Sequence, residues 1–277
     1  MQLKFCPDCG KPCEGLKFCG ECGFDLRPYL PLVQNQTSQP QKQTMSVGTV
    51  TTNSSQPQPT TYDVQAALEP FITKLNNDYH TYTIIGVKDK NIIHANIPDC
   101  VTAIQSDAFR GCVQLMSVTI PDSVKQLGIS LFYGCRKLER VRLPEGIPHI
   151  HVQTFFYCTN LRQVNIPNSV TEILLSAFSG CQSLSSVSLP PHLPRIPDSC
   201  FSGCKQLTHI SFPETLHTID KDAFHGCESL QNITIPPSVT TLGDNAFMGC
   251  NKLTARVPIH LVARFQQVAP KCTIIPY

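Results

Sequence analysis

The sequence predicts a mostly β solenoid that follows a small metal-binding unit and a flexible linker. Three observations predict this organisation: residues 97–257 repeat one pattern every 23 residues, residues 34–61 contain almost nothing that packs, and the first 22 residues carry two close cysteine pairs. We therefore divide the chain into a front unit (1–27), a linker (28–61), an N-terminal cap (62–96), the repeats (97–257) and a C-terminal cap (258–277).

The front unit carries cysteines at the spacing of metal ligands. Cys6, Cys9, Cys19 and Cys22 form the pattern C-x2-C-x9-C-x2-C, and a glycine follows the second cysteine of each pair. Four thiolates on two tight turns match the tetrahedral sulfur ligands that zinc prefers. The stretches CPDCG and CGECG resemble the knuckles of a zinc ribbon. A structural Zn2+ is expected, because four protein thiolates leave no open coordination position, and a disulfide pair is the alternative.

Cys13, a fifth cysteine in the front unit, lies between the two pairs; we expect a free thiol there, or a replacement for Cys9 as a ligand. The front unit has as many basic residues as acidic ones: Lys4, Lys11, Lys17 and Arg27 against Asp8, Glu14, Glu21 and Asp25. Without a net charge, phosphate binding loses its main driving force. A nucleic-acid-associated adaptor acting through the ribbon is therefore the weaker functional alternative.

The linker and the N-terminal cap follow. Residues 34–61 are rich in Gln, Thr, Ser and Pro with a single charge, Lys42, which is typical of a flexible segment. Residues 63–75 have the spacing of a short helix, although Pro70 would remove a hydrogen bond from it. The stretch YTIIGVKDKNIIHANIP at 82–98 predicts either a hairpin around KDKN or an irregular first coil.

The repeats agree in length and in residue type. Seven repeats begin at residues 97, 120, 143, 166, 189, 212 and 235. In every repeat the second residue is Pro, the thirteenth Phe, the sixteenth Cys and the nineteenth Leu, whereas the last repeat has lost one residue near LTARVP. A single repeat cannot bury its apolar face alone, but stacked coils of equal length can share their apolar faces and join in parallel ladders.

Each coil contains one predicted strand, in the stretch L-x-x-V-x-I-P. The residues at positions 22 and 1 of successive repeats point inward and the residue between them points outward, and the proline then ends the strand. The phenylalanine fills the centre of the coil, and Gly-Cys provides a tight turn.

These residues resemble the BspA-type leucine-rich repeat, with nearly intact copies in IPNSVTEILLSAFSGCQSLSSVS and IPPSVTTLGDNAFMGCNKLTARV. The resemblance covers residues 97–257 and implies a mostly β, curved, right-handed leucine-rich repeat solenoid. It also implies binding of proteins or surfaces rather than catalysis. Members of this family are often exported, so cell-surface adhesion is a further alternative.

The seven repeat cysteines are interpreted as buried structural thiols. Neighbouring Cβ atoms in a parallel ladder are farther apart than a disulfide prefers, and the number of these cysteines is odd. A redox switch is the alternative. Cys200 is expected in the core and Cys100 in a more exposed position. His149 and His151 lie on the side opposite Ile150 and are interpreted as surface histidines rather than metal ligands.

The outward strand residues form the candidate binding face. Arg140, Arg142 and Arg162 fall on adjacent coils, with Arg136 and Lys137 nearby, and are predicted to bind an acidic segment of a protein partner; a solvated face beside Glu139 is the alternative. The sequence contains no phosphate-binding glycine loop and no nucleophile elbow, so we do not expect an enzyme.

The remaining expectations come from composition. The formal charge is +2, and no apolar run has the length of a membrane span. The start MQLKFCPDCG lacks the apolar stretch of a secretory signal. We therefore expect a cytoplasmic, monomeric protein with reduced thiols.

Overall fold

A computed structural model describes residues 61–277, and within these residues the side chains from residue 64 onward. The chain there is mostly β and forms a solenoid of about eight coils of roughly 23 residues. The predicted zinc ribbon and linker lie outside the described residues.

Each coil contributes one strand to a parallel ladder, called here the first ladder. In β5 (Ser117–Thr119) through β15 (Asn232–Thr234), every strand of this ladder has three residues. The strands of the first ladder are β3 (His94–Asn96), β5 (Ser117–Thr119), β7 (Arg140–Arg142), β9 (Gln163–Asn165), β11 (Ser186–Ser188), β13 (His209–Ser211), β15 (Asn232–Thr234), β17 (Thr254–Val257) and β18 (Thr273–Pro276). They form a six-stranded sheet from β3 to β13 and a three-stranded sheet of β15, β17 and β18, and β13 contacts β15 where the two sheets meet.

The pairing of this ladder reproduces the repeat interval. Ser186 pairs with Gln163 on one side and His209 on the other, both 23 residues away. Asn232 pairs with Thr254, which is 22 residues away, so the last repeat has lost one residue as predicted. In most of these strands the middle residue is buried and its neighbours point outward, as for Val164 between Gln163 and Asn165. The exceptions are Ser117, which is buried beside Val118, and Ile274 of β18, which is half-buried. These observations confirm the predicted strand and its orientation.

A second ladder, which the sequence analysis did not predict, lies elsewhere on the coils. Most of its strands have only two residues, of which the second is buried. They are β2 (Tyr82–Val87), β4 (Val101–Ile104), β6 (Gln126–Leu127), β8 (His149–Ile150), β10 (Glu172–Ile173), β12 (Arg195–Ile196), β14 (Thr218–Ile219) and β16 (Thr241–Leu242). Their hydrogen bonds join them in three groups, β2–β4–β6, β8–β10 and β12–β14–β16. The buried residue is the Ile or Leu at position 8 of the repeat.

The phenylalanines of position 13 stack along the centre of the solenoid. All seven are fully buried, and the ring centroids of neighbours such as Phe178 and Phe201 are 5.4 Å apart. The stack ends on Phe71, whose ring meets Phe109 edge-on at 6.2 Å, and on Phe265, which is 5.1 Å from Phe247. Residues before and after the repeats therefore cover both ends of the phenylalanine column.

The N-terminal cap differs in part from the prediction. The helix α1 (Thr61–Leu68) ends before Pro70, and the residues predicted as its second half form strand β1 (Phe71–Leu75). Strand β1 pairs antiparallel with β2, so the hairpin turn lies between Leu75 and Tyr82 rather than at KDKN. Strands β2 and β3 each pair with a strand of the following coil, which makes residues 82–96 the irregular first coil.

The C-terminal end is covered by short elements. A 3-10 helix (Ile259–Leu261) and the helix α2 (Val262–Val268) follow β17, and β18 then returns to pair with β17. Phe265 and Val268 of α2 are buried. The helix thus packs over the end of the core while β18 continues the first ladder.

Candidate functional site

The side chains that point outward from the first ladder form a continuous surface, called here the strand face. Two positions on each strand contribute to it, one on each side of the buried residue. The residues are His94, Asn96, Ser117, Thr119, Arg140, Arg142, Gln163, Asn165, Ser186, Ser188, His209, Ser211, Asn232, Thr234, Thr254, Arg256, Thr273 and Ile275. None of these described positions holds Asp or Glu, and three hold Arg.

The predicted partner-binding arginines lie on two neighbouring coils. Arg140 and Arg142 are on β7, and Arg162 is an exposed residue immediately before β9. Because the backbone register pairs Arg140 with Gln163, Arg162 lies one residue away from this pair. The structure therefore brings the three arginines to one part of the molecule.

Arg142 is held by internal contacts of its guanidinium. Its guanidinium donates to the backbone carbonyl of Ile120 at 2.7 Å and to both carboxylate oxygens of Asp122 at 2.9 and 3.1 Å. The backbone N–H of Glu145 also donates to Asp122. This hydrogen bond, together with the Arg142 guanidinium, holds the pKa of the Asp122 carboxyl below its ordinary value. The charge of Arg142 is thus largely balanced within the molecule.

Two further basic residues close to these arginines in the sequence are exposed. Arg136 and Lys137 lie on the same coil as Arg140, and the Lys137 ammonium donates to the Gln114 amide oxygen at 2.6 Å. The carboxylate of Glu139, at the start of the same strand region, belongs to a half-buried residue. Positive side chains therefore outnumber negative ones on this part of the surface.

An aromatic strip next to the Gly-Cys turns was missed by the sequence analysis. The Arg110 guanidinium lies 4.1 Å from the centroid of the Tyr133 ring, which stacks on Phe156 at 4.9 Å, and Phe156 meets Tyr157 edge-on. The sequence contains a signal for this strip, because position 14 of the repeat holds Phe or Tyr only in LFYGC and TFFYC. Tyr157 is also the residue that replaces the usual glycine, and it keeps the left-handed backbone with a φ of 56°.

The seven repeat cysteines are buried, as predicted. From the second repeat onward each thiol donates to the backbone carbonyl of the phenylalanine in the preceding coil, for example Cys158 to Phe132 at 3.1 Å. Burial raises the pKa of four of these thiols well above the ordinary value, namely Cys158, Cys181, Cys204 and Cys227. A protonated, hydrogen-bonded thiol is a poor nucleophile, so this column has a structural character. Cys200 is buried and Cys100 half-buried, both as expected.

Metal-binding candidates fall into two groups. The predicted zinc ligands, Cys6, Cys9, Cys19 and Cys22, and the neighbouring Cys13 lie outside the described residues, so the zinc site stays a prediction. Within residues 61–277, no group of three His, Cys, Asp or Glu side chains is arranged to hold a metal ion. The His149 and His151 rings are 5.9 Å apart. The His149 imidazole lies 3.4 Å from the Glu172 carboxylate, so His149 has a local partner on the neighbouring coil.

The repeated coil, the parallel ladders and the central phenylalanine column define a β solenoid of the leucine-rich repeat type. The sequence pattern of the family described as BspA type leucine rich repeat region matches residues 87–207 and 132–254. The chain therefore belongs to the BspA type leucine-rich repeat family. Repeat proteins with this solenoid fold are generally non-enzymatic.

The solved structures that are similar to this chain include two leucine-rich repeat proteins of 30% identity or more. A leucine rich cell surface protein of Faecalibacterium prausnitzii A2-165 is 33% identical over 68% of this chain and 53% of its own, with a TM-score of 0.62. The leucine rich repeat protein of T. pallidum is 30% identical over 73% of this chain and 95% of its own, with a TM-score of 0.64. The chain spans about half the length of the F. prausnitzii protein. Comparison with curated proteins gives no match.

The described residues contain no helix that is both long and apolar enough to cross a membrane.

Proposed function

We propose that this protein is a non-catalytic protein-interaction module or scaffold that recognises a protein partner through the strand face. The observation that carries the proposal is the composition of this face: except for Ile275, its outward positions hold three arginines and other hydrogen-bonding side chains, and none holds a carboxylate. Such a surface attracts acidic groups and repels basic ones. The BspA type repeat, whose relatives include a cell surface protein, supports an interaction role.

The acidic partner segment contacts Arg140 and Arg162, with Arg142 beside them. Arg162 is exposed, and Arg140 is an outward residue of β7. Arg142 contributes less, because Asp122 already balances its charge at 2.9 Å. Arginine binds carboxylates well, since its planar guanidinium donates two parallel hydrogen bonds.

Affinity capture with the full chain tests this role. Arg140→Ser combined with Arg162→Ser should remove the polypeptides that the natural chain retains from a lysate of its source cells, and 0.5 M salt should release them. The matched control is Lys252→Ser combined with Lys271→Ser, which removes the same charge from two exposed lysines elsewhere on the solenoid. Equal retention by both double variants would reject the arginine-dependent interaction.

The front unit acts as a separate structural zinc ribbon held by Cys6, Cys9, Cys19 and Cys22. Elemental analysis of the purified full chain should find one zinc ion per molecule, and Cys6→Ser should lower that content. Cys13→Ser is the matched control, because Cys13 lies between the pairs and is expected to be free. Equal loss of zinc in both variants would indicate that Cys13 is a zinc ligand in place of Cys9.

The working location of the protein is the cytoplasm. The core cysteines support this proposal, because their thiols act as buried hydrogen-bond donors and a reducing compartment keeps them in that form. Fractionation of the source cells should recover the chain with soluble cytoplasmic markers.

Surface adhesion is a second candidate function, favoured by the 33% identity to a leucine rich cell surface protein of F. prausnitzii. In that case protease treatment of intact source cells should degrade the solenoid, whereas a cytoplasmic protein would be degraded only after lysis. The two locations therefore give opposite results in one experiment.

A further inference from the structure

A groove lies on the strand face near its C-terminal end. Its volume is about 390 Å³, and it is formed by outward residues of β13, β15, β17 and β18 together with the residues that follow these strands. Ser211, Asn232 and Thr234 offer hydrogen-bonding groups, while Arg256, Tyr277 and Glu214 carry the larger polar side chains of its lining. The groove is far along the ladder from β7, where the predicted partner-binding arginines lie.

Arg256 occupies the same place in its coil as Arg142 does in the second repeat. The backbone N–H of Ile120 donates to the carbonyl of Arg142, and in the same way Ile235 donates to Arg256. Arg142 pairs with Asp122, which lies two residues after Ile120. The residue two positions after Ile235 is Pro237, so Arg256 lacks the corresponding carboxylate.

Tyr277 replaces the second internal contact of the arginine. In the second repeat the Arg142 guanidinium donates to the Ile120 carbonyl at 2.7 Å. At the corresponding carbonyl of Ile235 the donor is the Tyr277 hydroxyl, also at 2.7 Å. The Arg256 guanidinium instead lies 5.0 Å from the centroid of the Tyr277 ring. The ring is fixed by its hydroxyl and supports the guanidinium, whose N–H donors are left for another acceptor.

No carboxylate among residues 61–277 forms an ion pair with Arg256. Hydroxyl and amide groups share the lining of the groove with apolar side chains such as Phe212 and Ile275. A positive group that is held there without an ion-pair partner is suited to a carboxylate on a peptide. Glu214 lines the same groove and disfavours a phosphate more than a carboxylate, because a phosphate carries more negative charge than a single carboxylate.

We propose that Arg256 binds an acidic side chain of an extended protein segment that lies in this groove, as a second contact point on the strand face. The proposal rests on the proposed interaction function and adds a site in the three-stranded sheet at the C-terminal end of the strand face. Arg140 on β7 and Arg256 on β17 are five strand positions apart, including the step from β13 to β15 between the two sheets, which corresponds to roughly 24 Å at about 4.8 Å per strand. One extended segment of about seven residues spans that distance.

The test is a nuclear magnetic resonance titration of the isotope-labelled full chain, read at the arginine Nε–H signals. The probe is the blocked peptide Ac-Ser-Thr-Glu-Ser-Thr-NH2, and its control carries Gln in place of Glu. We expect saturable shifts at Arg256 and Tyr277 with the Glu peptide, and an affinity about tenfold lower in Arg256→Gln, since a charge-assisted pair is lost.

Arg142→Gln is the matched control, because that arginine already has Asp122; we expect it to change the affinity less than about twofold. Equal shifts with the Glu and Gln peptides, or stronger shifts with inorganic phosphate, would overturn the carboxylate site. Saturable shifts at Arg140 or Arg162 without any at Arg256 would overturn this inference and leave the proposed function standing. If Arg140→Ser with Arg162→Ser retained the same polypeptides as the natural chain in the capture experiment while Arg256 still bound the peptide, the proposed role of Arg140 and Arg162 would be rejected and the Arg256 site would stand.

Discussion

Along the solenoid three buried positions hold the same residue in every repeat, whereas the outward positions of the first ladder change from coil to coil. Phe, Cys and Leu occupy positions 13, 16 and 19 in all seven repeats. The outward positions of the strands instead pass through Ser, Thr, Arg, Gln, Asn and His. Packing between coils therefore constrains the interior, while the outward residues are free to differ where recognition requires it.

The reason is that an inner side chain has the same neighbours in each coil. Phe178 lies between Phe155 and Phe201, at centroid distances of 5.2 and 5.4 Å, so a different ring would disturb two coils at once. An outward residue such as Ser186 is exposed and its side chain faces solvent. Length is constrained in the same way, and the one shortened interval, Asn232 to Thr254, occurs at the last repeat.

The largest effect should come from breaking the register of the inner columns. Deleting residues 183–185 would shift every later column by three positions and remove the buried Leu184. We expect a cost on the order of 5 kcal/mol or more and a loss of cooperative melting, measured by calorimetry.

Deletion of the whole coil 166–188 is the matched control, because it removes 23 residues and rejoins equivalent positions. It should melt in a single cooperative transition, since the inner columns remain aligned. If the three-residue deletion melted as cooperatively and at the same temperature as this control, the claim that the interior fixes the coil length would be wrong.

Alkaline pH should test the thiol column next. Burial raises the pKa of thiols such as Cys181 and Cys204 in the folded chain, so the folded state keeps protons that the unfolded state loses. The thiol contribution to stability is therefore complete below the unfolded pKa near 8.5 and declines as pH rises toward the folded pKa. Above the unfolded pKa each of these two thiols should lower the free energy of unfolding by about 1.4 kcal/mol per pH unit.

Urea unfolding in reductant between pH 7 and pH 10 measures this slope. Cys181→Ala should be less stable than the natural chain at pH 7 but should lose stability less steeply as pH rises. The half-buried Cys100 provides the control, because Cys100→Ala should change the slope less. Identical slopes for all three proteins would contradict the account of the buried thiols.

Some elements of the fold could be predicted from the sequence and others could not. The first ladder followed from the inward positions 22 and 1, because a strand with one buried face leaves an alternating pattern. Strands such as Glu172–Ile173 have two residues and one buried side chain, which is too short for alternation, so the second ladder was not predicted. The cap helix was extended past Leu68 because Phe71 and Leu75 have helical spacing, but in the structure these residues belong to β1, which pairs with β2.

The candidate site shows a similar limit. Adjacency of Arg140 and Arg162 followed from the repeat interval alone. The pairing of Arg142 with Asp122 joins residues 20 apart, and the replacement of this pair by Tyr277 at Arg256 depends on a residue outside the repeats. Contacts that do not follow the 23-residue period leave no periodic signal.

A smaller effect should separate two turn glycines that share a backbone but differ in surroundings. Gly180 and Gly111 have φ values of +76° and +71°. A Cβ at Gly180 would lie 2.6 Å from the Tyr157 ring, whereas a Cβ at Gly111 would meet nothing within 4 Å. Both alanine variants should lose about 1–2 kcal/mol to backbone strain, and Gly180→Ala should lose about 1–3 kcal/mol more.

Chemical denaturation measures both costs. Adding Tyr157→Gly to Gly180→Ala should recover the additional loss, because it removes the clashing ring. If Gly180→Ala and Gly111→Ala were equally unstable, the exceptional Tyr157 would not constrain the neighbouring coil.

The smallest stability effect, and the sharpest test of how outward residues acquire function, should come from Asp122→Asn. Its pair with Arg142 is solvent-exposed, with 40% and 52% of the two side chains accessible, so we expect a loss below about 1 kcal/mol. Because the pKa of Asp122 is lowered in the folded chain, its contribution is present above the unfolded pKa near 3.9 and is lost as pH falls below it. The variant should therefore match the natural chain in stability at acidic pH and differ only at neutral pH.

The same change removes the internal carboxylate of Arg142, so that Arg142, like Arg256, has no ion-pair partner from this position. The Glu peptide should then produce new saturable shifts at the Arg142 Nε–H signal. Shifts confined to Arg256 in this variant would mean that the missing counter-charge is insufficient, and that the fixed ring of Tyr277 is what makes an arginine of the strand face a binding site.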